Sequence, residues 1–155
     1  MWIKKKQNKG FSLIELLFVI AVIGMLATLS LVAINNAREK ARDTRRLSDI
    51  NQILQALELY FSSHRTYPAG DGIVLGSTNY KCLNAEGWKQ VGCTNPYMDN
   101  ILPNPLPGGA DYLYYYINPT NFIITFKLDY GAGGYSANSC CGLPATGVYC
   151  PCTYP

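Results

Sequence analysis

Lys9-Gly10-Phe11-Ser12-Leu13-Ile14-Glu15 opens an apolar run in which no further charge appears before Arg38. Leu16 to Ala37 would form a helix about 33 Å long at about 1.5 Å per residue, enough to cross a bilayer once. The residue out of place is Glu15. A carboxylate in the first turn of a membrane segment costs on the order of 1–3 kcal/mol according to depth, so a positive partner for it is expected.

Three readings fit this stretch. In a plain single-span anchor, Glu15 is tolerated because helix N-termini favour negative charge. A cleaved signal peptide would need an A-x-A-like exit, and Ala33 and Ala37 carry Leu31 and Asn35 at the −3 place. A processed leader with a retained helix accounts for more residues: lysines Lys4, Lys5, Lys6 and Lys9, then Gly10, then Phe11, then a glutamate four positions later, all ahead of the apolar run.

That combination resembles the class III signal of type IV pilins and pseudopilins, over roughly Lys4 to Pro68. The resemblance implies that prepilin peptidase, a membrane aspartic protease, cuts between Gly10 and Phe11 and that Phe11 becomes the N-methylated terminus. It implies further that the helix is first a membrane anchor in lipid, and then the core of a homo-oligomeric helical filament built on an inner-membrane assembly platform. Glu15 is the subunit-assembly residue on this reading. It can neutralise its own terminus at i,i+4 spacing or that of a neighbouring subunit. Gly10, lacking a Cβ, suits an extended backbone that a protease reaches, and the leader lysines hold the N-terminus on the cytoplasmic side. Type IV pilins commonly carry a helix-breaking proline at the place of Val32, which this chain lacks.

Charge narrows the function classes. The chain has thirteen Lys and Arg against ten Asp and Glu. Without the four leader lysines, nine basic residues face ten acidic ones. Near-neutrality argues against a nucleic-acid partner. One basic cluster remains: Arg38, Lys40, Arg42, Arg45 and Arg46, with Glu39 and Asp43 among them. It reads as a solvated helix turn with Glu39–Arg42 and Asp43–Arg46 paired at i,i+3, and less strongly as a lipid-headgroup contact. Because both ends of the span are basic, the positive-inside rule alone does not orient it. The cysteine-rich part sets the domain outside and the leader inside.

Leu47, Ile50, Leu54, Leu57 and Phe61 recur at helical spacing, with Asp49, Gln52 and Gln55 between them. With no proline from Phe11 to Tyr67, one helix from Phe11 to about His64 is expected, ending before Thr66-Tyr67-Pro68. The organisation is then a leader over 1–10, a membrane and filament-core helix over 11–37, an amphipathic helix over 38–67 and a disulfide-containing β domain over 68–155.

Beyond Pro68, turn clusters at 68–72 and 103–109 flank a loop-rich stretch. Tyr112–Ile117 and Phe122–Leu128, separated by Asn118-Pro119-Thr120-Asn121, read as a β-hairpin. Tyr112, Tyr114 and Tyr116 would share one face. A third strand is expected near 134–137 or 147–149. The fold class is α+β: a long N-terminal helix packed on a small antiparallel sheet.

Six cysteines in an exported domain of this size suggest disulfides. Cys82 would pair with Cys93 across a short loop, and adjacent Cys140 and Cys141 would each take one of Cys150 and Cys152. Six cysteines allow 15 pairings, so connectivity stays open. A zinc site from the last four is the rival, but their C-C and C-x-C spacing departs from the usual arms. No metal or other cofactor is expected.

Catalysis has little to stand on. His64, the only histidine, falls at the expected helix end, Ser62 and Ser63 belong to no motif, and Gly131-Ala132-Gly133-Gly134 reads as a turn. The twelve tyrosines are explained by core packing. A structural filament subunit, not an enzyme, follows: a single-pass membrane protein with its domain outside, assembled into an extracellular or envelope filament. A type II secretion pseudopilin and a non-polymerising anchored binding module are the alternatives. Secretion-type major pseudopilins tend to carry an acidic calcium loop near the C-terminus. Asp129 is the only carboxylate here after Asp111, so no such loop is expected.

Overall fold

The computed structural model describes residues 10–90 and 92–152, without the side chain of Val32. The leader lysines Lys4, Lys5, Lys6 and Lys9 lie outside the described residues. A single helix, α1, runs over Leu13–His64, and the chain divides into two compact units after Ala37.

In the first unit the helix carries its apolar side chains outward on every side, and none of its most apolar window is buried. Nothing breaks the helix at Val32.

In the second unit α1 is amphipathic. Leu47, Ile50, Leu54 and Leu57 are buried, joined by Ile53, Ala56 and Tyr60. Arg65 closes the helix in the left-handed region at φ 59°, with its N–H on the Phe61 carbonyl at 2.8 Å. This is the helix stop that the following Thr66-Tyr67-Pro68 requires.

Against this stripe lies a five-stranded antiparallel sheet in the order β1-β4-β5-β6-β7: β1 Ile73–Val74, β4 Leu113–Asn118, β5 Asn121–Ala132, β6 Tyr135–Leu143 and β7 Gly147–Tyr149. The expected hairpin is β4–β5, with Tyr114 opposite Ile124 and Tyr116 opposite Phe122. Tyr112 and Tyr114 are fully buried, whereas Ile117 on the alternate face is exposed. Alternation of this kind is what a sheet covered on one face requires. Both candidate third strands exist, since β6 and β7 continue the sheet. Gly142 on β6 lets Ile50 and Leu54 approach; a Cβ there would lie 3.3 Å from each.

One stretch differs from its reading as loop. Cys82–Asn84 (β2) and Gly87–Lys89 (β3) pair as a separate two-stranded hairpin, too short for alternation to show in sequence. Its Trp88 meets Tyr114 edge to face at 5.1 Å.

The basic cluster needs a larger correction. Asp43 and Arg46 do pair, but both are fully buried, and no ion pair joins Glu39 to Arg42 among the described residues. Asp49, read as part of the polar face, is also buried, with the Tyr112 hydroxyl donating to it at 3.2 Å.

Candidate processing and assembly site

Gly10, Phe11 and Glu15 fall together at the start of the first unit. Gly10 is exposed, and a Cβ built on it would meet nothing within 4 Å. Neither crowding among the described residues nor a positive φ demands glycine here. Phe11 is 78% exposed. Ser12 stands at the helix N-cap: its carbonyl accepts the N–H of Glu15 at 3.1 Å and of Leu16 at 3.2 Å. Glu15 Oε2 reaches back and accepts the Ser12 N–H at 2.9 Å. This is the back-reaching half of a capping box, with the S-x-x-E signature Ser12-Leu13-Ile14-Glu15. It gives Glu15 one bond in its own chain. A carboxylate has about four acceptor sites, so the rest can take a donor from elsewhere.

In the second unit the Asp43–Arg46 pair acquires partners from distant parts of the chain that the sequence does not announce. Asp43 accepts three backbone N–H groups of β5: Tyr130 at 2.7 Å, Gly131 at 2.8 Å and Asp129 at 3.2 Å. Arg46 pairs with Asp43 and with Asp129 at 3.1 Å, and donates to Asn104 Oδ1 at 2.7 Å and to the Pro105 carbonyl at 3.0 Å. Asn104 in turn donates to the Gly108 carbonyl at 2.9 Å. Gly109 closes the loop over the guanidinium at φ 73°, where a Cβ would come within 2.6 Å of Arg46 Nε. Helix, proline-rich loop and β5 are thus tied by one buried cation and its acceptors. Burial pushes the Asp43 carboxyl up, but the N–H groups of Tyr130, Gly131 and Asp129 together with Arg46 outweigh it and hold its pKa below the ordinary value. For Asp49 burial wins over the Tyr112 bond and Arg45, and its pKa is raised.

The cysteines form three bridges: Cys82–Cys93, Cys140–Cys150 and Cys141–Cys152. The last two staple β6 to the segment after β7. His64 Nδ1 lies 3.0 Å from the Tyr60 carbonyl and its ring stacks on Tyr60, while Ser62 and Ser63 donate to the Leu59 carbonyl. The three side chains are engaged with their own helix and assemble no reactive constellation.

Residues 5–31 match the family model described as the prokaryotic N-terminal methylation motif. The chain is 34% identical over 65 residues to the type II secretion system core protein G of Aeromonas hydrophila, covering 42% of this chain and 46% of that protein. With the type II secretion system core protein G of Escherichia coli K12 it shares 31% identity over 115 residues, which is 67% of this chain and 77% of the relative. With PilA4 of Thermus thermophilus, a type IV wide pilus major component, it shares 34% identity over 70 residues, or 45% of this chain and 53% of the relative. The aligned stretch thus spans about half the length of some of these relatives and over three quarters of the E. coli protein. No solved structure matches.

Proposed function

This chain belongs to the family of type IV pilins and type II secretion pseudopilins, and we propose that it is a structural filament subunit made as a membrane precursor. Prepilin peptidase cuts between Gly10 and Phe11 and methylates Phe11, and the subunit then polymerises through the first part of α1 on an inner-membrane platform. Before assembly that helix rests in lipid, with the leader on the cytoplasmic side and the domain outside.

The observation that carries this reading is the apolar surface of α1 before Arg38: exposed on all sides, with Glu15 as its one charge. Such a surface has to be covered by lipid or by other helices. In a lone anchor the carboxylate gains only the Ser12 N–H and the helix N-terminus. In a packed helical core, a buried amino terminus and a buried carboxylate each need the other. Glu15 is the only acidic residue between Phe11 and Arg38, and so the one candidate for the Phe11 terminus of an adjoining subunit.

A second reading, a pseudopilin of a type II secretion system, is supported by coverage: the alignment with the E. coli core protein G takes in 77% of that relative, against 53% of PilA4. Both readings share the same precursor and assembly step.

The test is Glu15→Val. Processing and insertion should persist, because the span becomes more apolar, while sheared or cross-linked filament should fall strongly, since an unpaired buried terminus costs about 3–5 kcal/mol. Normal filament yield from cleaved Glu15→Val would leave Glu15 as a cap for its own helix and favour the anchor.

A further inference from the structure

We propose that Arg38, Arg42 and Arg45 form a binding site for the phosphodiester group of an anionic lipid at the end of the membrane-spanning run. The three residues stand at i, i+4 and i+7 on α1, which places them on one face within about 60° of arc and about 10 Å of axis. The face begins one residue beyond Ala37, the last position of the uncharged stretch, where headgroups begin.

The neighbouring Arg46 shows what a satisfied arginine looks like in this chain, and these three differ from it. Arg38 has no carboxylate within ion-pair distance among the described residues, and neither has Arg42. Arg42 is half-buried, and its Nε is enclosed by protein without a hydrogen-bond partner among the described residues. Arg45, 53% exposed, has only a long contact of 3.9 Å with Asp49. Enclosing a guanidinium edge without an acceptor is costly, and the deficit is met by an oxygen-rich anion. Arginine suits phosphate because its planar fork donates two parallel N–H bonds and is weakly hydrated. Glu39, half-buried and about 100° around the helix from Arg38, offsets part of the field, and Lys40 points to the opposite side, so the arginine stripe rather than summed charge carries recognition.

The proposal rests on the membrane stage of the proposed function but not on polymerisation. The experiment uses the full chain in nanodiscs of equal phosphatidylcholine and phosphatidylglycerol, reading the lipids retained on release by native mass spectrometry. The expected result is about a hundredfold preference for phosphatidylglycerol, as three basic side chains at an anionic surface imply. The preference should collapse in R38Q/R42Q/R45Q and survive in K4Q/K5Q/K6Q/K9Q, which removes the leader lysines instead. If the triple variant fails to fold, Arg38→Gln alone, exposed and without an ion pair among the described residues, should still reduce the preference about fivefold. Inorganic phosphate should not displace the lipid; displacement would mean a site for a soluble anion and would overturn the assignment. An unchanged ratio in the arginine variants would overturn it too, in favour of a protein contact if cross-linking between copies falls at the same time. A chain that shows the lipid preference but forms no filament would sink the filament reading and leave this site standing.

Discussion

The two parts of α1 carry one carboxylate each at a telling place, and the two are treated in opposite ways. Asp43 is buried and fully provided for within the chain: three β5 N–H groups and Arg46 surround it. Glu15, in a stretch of helix whose described apolar residues are exposed, receives one backbone N–H among the described residues. The second part of the helix has its apolar cover in the sheet, whereas the described apolar side chains of the first part are exposed. A buried charge that is satisfied internally serves folding, and the proposed function gives Glu15, with spare acceptors on an exposed apolar surface, to assembly.

Breaking that division should produce opposite defects. The largest effect on the folded domain is expected from Arg46→Leu, which strands buried Asp43 without its cation and leaves Asp129 only the long contact with Lys127 at 3.8 Å. Removing one partner of a buried pair costs about 3–5 kcal/mol, so the denaturant midpoint of the domain should drop markedly, while insertion and cleavage at Gly10 remain. This is the mirror image of Glu15→Val, which should spare the domain midpoint and abolish filament. An Arg46→Leu variant with an unchanged midpoint would mean that the buried cluster is dispensable.

A smaller effect, separable by sign, is expected from pH. Asp43 has its pKa held below the ordinary aspartate value of 3.8 in the folded chain. The stability it contributes is therefore present above pH 3.8 and is lost as pH falls through the lower folded value. Asp49 has its pKa raised above 3.8, so its contribution is present below that value and fades as pH rises through the folded one. Unfolding free energies measured across the acid range should lose their low-pH decline in Asp43→Asn and part of their opposing slope in Asp49→Asn. Identical profiles for both variants would contradict the assignment of the two environments.

What the sequence disclosed follows the same division. The apolar run, the Leu47–Ile50–Leu54–Leu57 stripe and the tyrosine-rich hairpin were legible because each is a local period that a covered or membrane-facing surface imposes. The Asp43–Arg46 pair was read at the right spacing and in the wrong solvent. Its burial depends on Asn104, Gly109 and Asp129, residues 58 to 86 positions away in the chain, folding over it, and no local pattern reports that. Strand β6, Tyr-Ser-Ala-Asn-Ser-Cys-Cys-Gly-Leu, lacks β-branched residues and is a strand because β5 and β7 flank it. Ser12 with Glu15 is a capping box legible in the sequence, a more specific form of the general preference of helix N-termini for negative charge.

The processing step itself is tested most directly by the amino terminus of the mature chain. Intact-mass and N-terminal peptide analysis of protein taken from membranes should find a chain beginning at Phe11, N-methylated, with the apolar run retained. A chain still beginning at Met1, or one beginning after Ala37, would contradict a processed filament subunit.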